Sequence, residues 1–125
     1  MAKRVLLVED EDNIAVAVRF LLERAGFEVA TAGDGEAGLD AARALPLNLI
    51  ILDAMLPNLD GFEVLERLKA DPKTASTPVL MLTAKGQAED RERAHAAGAD
   101  RFISKPFANA DLVAAAEALA TESEA

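Results

Sequence analysis

Residues 47–61 read LNLIILDAMLPNLDG, from Leu47 to Gly61. Leu47–Leu52 is almost unbroken in apolar side chains, as a strand covered on both faces has to be. The run ends at the carboxylate of Asp53. Seven residues later Asp60 is placed to cap a helix running to Ala70, which turns Phe62, Leu65 and Leu68 inward and breaks at Asp71-Pro72. Strand, acidic loop and amphipathic helix thus follow one another with no room for a hairpin.

The same alternation runs through the whole chain. Expected strands are Arg4–Val8, Glu28–Ala32, Leu47–Leu52, Pro78–Leu82 and Arg101–Ser104. Between them lie helical spacings. Ile14, Val18, Leu21, Leu22 and Ala25 share a face before Gly26; a helix from Asp34 to about Leu45 ends at Pro46; Ala88–Ala97 precedes Gly98; Ala108–Ala120 is the last. Five β-α pairs with short connections predict an α/β fold with a five-stranded parallel sheet and helices on both faces. EVATA (Glu28–Ala32) is the most polar strand and belongs at an edge. We expect one domain over residues 1–120 and a short polar tail over 121–125.

Composition narrows the chemistry. The chain has 125 residues, no Cys and one His, which excludes disulfides, thiolate zinc sites, thiol catalysis and a histidine-based metal site. His95 falls in a polar helix and reads as a solvated side chain. A net charge of −9 opposes contact with nucleic acid phosphates or an anionic membrane. No apolar run is long enough for a membrane span or a signal peptide, so a cytoplasmic location is expected. Of the 51% hydrophobic residues, 27 are Ala, which predicts helix-rich layers with small side chains at their contacts.

The ends of the apolar runs carry the functional signal. VLLV meets Glu9-Asp10, LIIL meets Asp53, VLML meets Thr83 and RFIS meets Lys105. In a parallel sheet these C-terminal ends lie along one edge, where ligands bind. Any of these residues alone is an ordinary cap or loop residue; agreement at four strand ends points to a site. Clustered carboxylates beside one ammonium need further positive charge, and an all-oxygen set suits Mg²⁺, with Mn²⁺ as a substitute.

Glu9-Asp10, the run Asp53 to Gly61, Met81-Leu82-Thr83-Ala84-Lys85 and Lys105-Pro106-Phe107 together resemble the receiver domain of bacterial two-component response regulators, of the chemotaxis-regulator type. The resemblance spans residues 3–120. It implies a flavodoxin-like three-layer α/β/α sandwich with strand order 2-1-3-4-5. It implies phosphorylation at Asp53, and Mg²⁺ held by Glu9, Asp10, Asp53 and the backbone carbonyl of Met55. Thr83 would bond a phosphoryl oxygen, Lys105 would pair with the phosphate, and N–H groups near Ala54 and Ala84 would assist. Phe102 matches an aromatic that turns inward on activation, Lys105-Pro106 matches a cis peptide, and Pro57 and Gly61 shape the acceptor loop. The implied protein is a signalling phosphoprotein, an enzyme only toward its own phosphorylation and dephosphorylation. Its implied donor is a histidine kinase or histidine phosphotransfer protein. Its output is a protein partner read through the fourth helix, fifth strand and fifth helix, or onward transfer in a relay. No direct DNA or membrane binding is expected.

Met81–Lys85 and Glu89-Asp90-Arg91 are similar to receivers of the winged-helix transcription-factor subfamily, which dimerise through that surface. Arg101 replaces a usual acidic residue and Asp111–Leu119 lacks the usual basic ones, so we expect a monomer or a weak phosphorylation-dependent dimer. Met1 and the tapering tail favour a stand-alone receiver over an excised fragment. Met55 and Lys85, each two residues past a signature position, are poor water-orienting groups, so slow self-dephosphorylation is expected.

Three other readings compete. Gly33-Asp34-Gly35-Glu36-Ala37-Gly38 is a literal GxGxxG, but it follows the edge strand and sets two acids where a pyrophosphate would lie. Asp10-Glu11-Asp12 with Thr83 and Lys105 mimics a haloacid-dehalogenase-like phosphatase with Asp10 as nucleophile, without that fold's later acidic pair. A phosphate-independent protein-interaction module would have no need of the intact signature positions.

Overall fold

The computed structural model describes residues 2–57, 59–84 and 88–122. In chain order the elements are β1 (Arg4–Val8), α1 (Asp12–Arg24), β2 (Glu28–Ala32), α2 (Gly35–Ala44), β3 (Leu49–Asp53), α3 (Gly61–Ala70), β4 (Val79–Ala84), α4 (Ala88–Ala96), β5 (Arg101–Lys105) and α5 (Asn109–Glu122). The strands form one parallel sheet in the order β2-β1-β3-β4-β5. This is the expected flavodoxin-like order, with the polar strand at an edge.

Strand alternation divides the core between the two faces of the sheet. Leu6, Val8, Ile50, Leu52, Val79 and Met81 point to one face and pack with Leu39 and Ala42 of α2, Phe62, Leu65 and Leu68 of α3, and Ala94 of α4. Val5, Leu7, Leu49, Ile51, Leu80 and Leu82 point to the other, against Val18 and Leu22 of α1 and Leu112, Ala116 and Leu119 of α5. Each large aliphatic side chain removed from water in this way contributes about 1.5–3 kcal/mol.

Helix ends follow the sequence signals. Asp34 and Asp60 cap α2 and α3, accepting hydrogen bonds from the N–H groups of Ala37 (2.8 Å) and Glu63 (2.9 Å). Gly26 (φ 101°) and Gly98 (φ 99°) follow α1 and α4 in the left-handed region that glycine enters without strain. Pro46 and Pro72 follow the ends of α2 and α3.

Several boundaries differ from expectation. β3 starts at Leu49, because Asn48 is drawn aside: its side-chain oxygen accepts from the Arg4 N–H at 2.9 Å and its own N–H donates to the Arg4 carbonyl. β3, β4 and β5 run through Asp53, Thr83 and Lys105, so these are strand residues and not the loop residues that follow. α5 continues through Thr121 and Glu122, shortening the expected tail; Thr121 Oγ1 donates to the Glu117 carbonyl (2.8 Å) and accepts from Lys3 Nζ (3.0 Å). Lys85, Asn58 and residues 123–125 lie outside the described residues, as do the side chains of Glu89, Asp90 and Arg91. Among the described residues no helix is long and apolar enough to cross a membrane.

The GxGxxG stretch is a packing device. An added Cβ at Gly35 would stand 2.6 Å from the Leu59 carbonyl oxygen, and one at Gly38 would stand 2.9 Å from a Val8 methyl. These glycines let α2 lie close on α3's entry loop and on β1. Asp34 meanwhile occupies the N-terminus of α2 where a pyrophosphate would have to sit.

Candidate functional site

Register brings the site together. Val8 and Leu52 are partners across the central β1–β3 pair, so Glu9-Asp10 and Asp53 leave adjacent strands at the same height. Asp53 pairs in turn with Leu82, one residue before Thr83, and Ala84 pairs with Lys105. One carboxylate oxygen each of Glu9, Asp10 and Asp53 lie within 4.8 Å of one another. Asp10 is exposed, whereas Glu9 and Asp53 are only 3% and 4% exposed.

Lys105 crosses from β5 to meet them. Its Nζ donates to Asp53 Oδ2 at 2.6 Å and to Glu9 Oε1 at 3.3 Å. The second Asp53 oxygen, Oδ1, accepts from the Met55 N–H at 2.9 Å, and Glu9 Oε2 accepts from the Glu11 N–H at 3.3 Å. Burial raises the Glu9 carboxyl from 4.5 to about 7, helped by its contact with Asp53 and that residue's charge. Burial alone would lower the Lys105 ammonium; its bond to Asp53 and the charges of Asp53 and Glu9 outweigh this and raise it. One ammonium thus serves a cluster of three carboxylates, and an all-oxygen donor set with that surplus of negative charge fits a hard divalent cation.

The remaining predicted residues take distinct positions. Thr83 is 1% exposed, and its hydroxyl has no hydrogen-bond partner among the described residues. Phe102 is half-buried on β5, paired in register with Met81 and packed against the face that carries α2, α3 and α4. The Met55 side chain is 71% exposed beside the cluster. Lys105-Pro106 is cis. Ala84 ends β4 beside Lys105. Of the amides near Ala54, that of Ala54 itself donates to the Leu82 carbonyl at 2.9 Å and extends the sheet, and that of Met55 faces Asp53. Composition gave no hint of this, because it depends on where β3 stops pairing.

Gly61 fixes the loop between β3 and α3. Its N–H donates to the Ala54 carbonyl at 3.1 Å, and a Cβ there would overlap the Asp53 carbonyl oxygen and stand 2.7 Å from Ala54 Cα.

Comparison with known proteins agrees with this geometry. The family model of the response regulator receiver domain matches residues 5–117. The chain belongs to that family. A DNA-binding dual master transcriptional regulator, RpaA of Synechocystis, is 44% identical over 116 residues, which is 93% of this chain and 48% of that protein. The chain thus spans about half the length of the curated relatives it matches. A CheY-like response regulator receiver domain protein from Methanospirillum hungatei superposes with a TM-score of 0.91 at 30% identity, covering 99% of this chain and 98% of that one. The receiver domain of a sensor histidine kinase from Pseudomonas aeruginosa, solved with magnesium in its active-site cleft, superposes with a TM-score of 0.89 at 27% identity, covering 97% and 99%. The receiver domain described here is accordingly a phosphoaccepting signalling switch of the two-component kind.

Proposed function

We propose that Asp53 is the residue this receiver domain phosphorylates, with Mg²⁺ as cofactor. The observation that carries the reading is the 2.6 Å ion pair between Lys105 and Asp53 inside a cluster of three carboxylates. Glu9, Asp10, Asp53 and the Met55 carbonyl are the groups to hold the ion, with Mn²⁺ as a substitute; the magnesium-bearing Pseudomonas aeruginosa receiver supports this assignment. When bound, the ion supplies positive charge against the carboxylates and the incoming phosphoryl oxygens.

Asp53 then acts as nucleophile. One carboxylate oxygen forms a bond to phosphorus as the bond from phosphorus to the donor breaks, leaving an acyl phosphate. The Met55 N–H orients the attacking carboxylate. Lys105 turns from Asp53 Oδ2 to the new phosphoryl oxygens, whose charge it stabilises. The donor is phosphohistidine on a histidine kinase or phosphotransfer protein. Catalysis by the domain is limited to its own phosphorylation and dephosphorylation.

Thr83 supplies the readout. Its buried hydroxyl, without a partner among the described residues, gains an acceptor when a phosphoryl oxygen arrives, and its movement opens space for Phe102. The altered surface of α4, β5 and α5 is what a protein partner reads, or phosphate passes onward. Residues 1–120 form the single domain that does this. Direct DNA contact by these residues is opposed by their charge.

The phosphatase reading places the nucleophile at Asp10. Lys105 faces Asp53 and Glu9, while Asp10 is exposed, so the ion pair favours Asp53. Intact mass spectrometry after incubation with Mg²⁺ and acetyl phosphate tests the proposal: a gain of one phosphoryl group, abolished by EDTA, is expected. No gain at all would remove it.

Two further results are expected. Replacing Thr83 by the isosteric valine removes a buried hydroxyl that has no partner among the described residues. Thr83→Val should therefore raise the stability of the metal-free protein by about 1 kcal/mol in urea denaturation. A loss would show that the hydroxyl is already satisfied.

The second concerns pH. Glu9 binds its proton more tightly folded (about 7) than unfolded (4.5), so its contribution to metal-free stability falls as pH rises between those values. Metal ligation needs the carboxylate and expels that proton, so Mg²⁺ affinity should rise about tenfold from pH 6 to pH 8. Calorimetric titration reads this, and Glu9→Gln should flatten the profile.

A further inference from the structure

We infer that Arg93 is a latch that ties the position of α4 to the loop carrying Asp53. Among the described side chains of α4, Ala94 alone is buried, and Glu92, Arg93, His95 and Ala96 are exposed. By contrast α3 buries Phe62, Val64, Leu65 and Leu68, and α5 buries Leu112, Ala115, Ala116, Leu119 and Ala120. Among the described side chains, then, one methyl group anchors α4, and it is a weak anchor because burial stabilises in proportion to apolar area.

Arg93 adds a second contact between α4 and the rest of the fold. Its guanidinium carbon lies 4.3 Å from the centroid of the Phe62 ring, and its Nη2 stands 3.7 Å from Asp60 Oδ2. The two contacts differ in weight. The ion pair is long and about half exposed, so it adds little. The stack is on a ring that is 4% exposed and held rigidly in the core, so it fixes where the guanidinium sits.

Both partners flank Gly61, the residue that fits against the backbone of Asp53 and Ala54 without room for a Cβ. Asp60 also caps α3 through its other oxygen, Oδ1. A displacement of the acceptor loop therefore moves the cap and the ring together, and Arg93 passes that displacement to α4. This route uses neither Thr83 nor Phe102. Coupling of this kind is reciprocal, so releasing α4 also loosens the acceptor loop.

Hydrogen exchange of the full chain, without metal or phosphodonor, tests the latch independently of the role proposed for Asp53. In Arg93→Ala, amides of residues 92–97 should exchange about fivefold faster, the equivalent of one cation–π contact. Amides of residues 59–63, none of them altered, should accelerate with them, while α1 and α5 should not change. Arg93→Lys, which keeps the charge but not the planar stack, should fall between. Arg24→Ala, which removes a stack within α1 on Phe20, should leave both segments unaffected. Calorimetry with Mg²⁺ alone should give about threefold weaker binding in Arg93→Ala, from a less ordered acceptor loop. Unchanged exchange in α4, acceleration confined to α4, or unchanged Mg²⁺ affinity would each overturn the inference. A wild-type protein that binds no Mg²⁺ would instead count against the cation site, and exchange would then decide the latch.

Discussion

Lys105→Met should slow phosphoryl acceptance from acetyl phosphate by roughly 10²–10³-fold, the usual effect of removing one charge-stabilising donor from a transition state. The ammonium is the positive group that contacts both buried carboxylates, at 2.6 Å from Asp53 and 3.3 Å from Glu9. A methionine fills the space of the aliphatic stem, so packing on β5 is kept and the charge alone is lost. The same substitution should strengthen Mg²⁺ binding, because a cation no longer competes for Asp53 Oδ2. Initial rates by intact mass, set beside calorimetric Mg²⁺ titration, separate the two effects. Slower transfer with tighter metal is the expected pair. Equal loss of both would make Lys105 a structural tie and not a phosphate partner.

Gly61→Ala should destabilise the fold by about 1–3 kcal/mol and remove phosphoryl acceptance with it. Helix propensity argues the other way. Position 61 opens α3, and alanine is favoured over glycine in a helix by about 1 kcal/mol. The structure decides the sign. The new Cβ would overlap the Asp53 carbonyl oxygen and stand 2.7 Å from Ala54 Cα, and both are backbone atoms of the strand end that carries Asp53. Flexible side chains could yield; this backbone is held by the bond of Ala54 N–H to Leu82 and by the bond of Gly61 N–H to Ala54. Gly33→Ala is the matched comparison, since nothing lies within 4 Å of its Cβ position. Urea denaturation should show a loss at position 61 and little change at position 33. Two unchanged midpoints would mean that the acceptor loop is not fixed by that contact.

Much of this architecture is legible in residue pattern. The buried runs VLLV, LIIL and VLML announce central strands, and the polar EVATA announces an edge. Asp34, Asp60, Gly26 and Gly98 mark helix ends by chemistry that acts locally, so the chain alone suffices to place them. The order of the strands is not local: alternation predicts a parallel sheet, and the order 2-1-3-4-5 came from family resemblance. The end of β3 is equally non-local. Whether Ala54 N–H turns to the site or to Leu82 depends on pairing with β4, so the sequence pattern alone narrows the amide facing Asp53 only to the neighbourhood of Ala54.

The electrostatics of the site were legible in kind and not in detail. Acidic strand ends and one lysine foretell a carboxylate cluster with a lysine beside it, but which carboxylate is buried follows from side-chain direction at the ends of β1 and β3. Glu9 is enclosed and takes up a proton near neutrality, while Asp10 faces water. Arg93 gave no signal. In a polar helix it reads as one more solvated charge, and only the packing of α4 beside α3 sets it over Phe62.

The most direct test of the account is to locate the phosphoryl group. Protein treated with Mg²⁺ and acetyl phosphate is reduced with borohydride, which converts an aspartyl phosphate to homoserine, and peptides are then sequenced by mass spectrometry. We predict homoserine at position 53 alone, and none in Asp53→Asn. Homoserine at position 10, or labelling that persists in Asp53→Asn, would contradict the account.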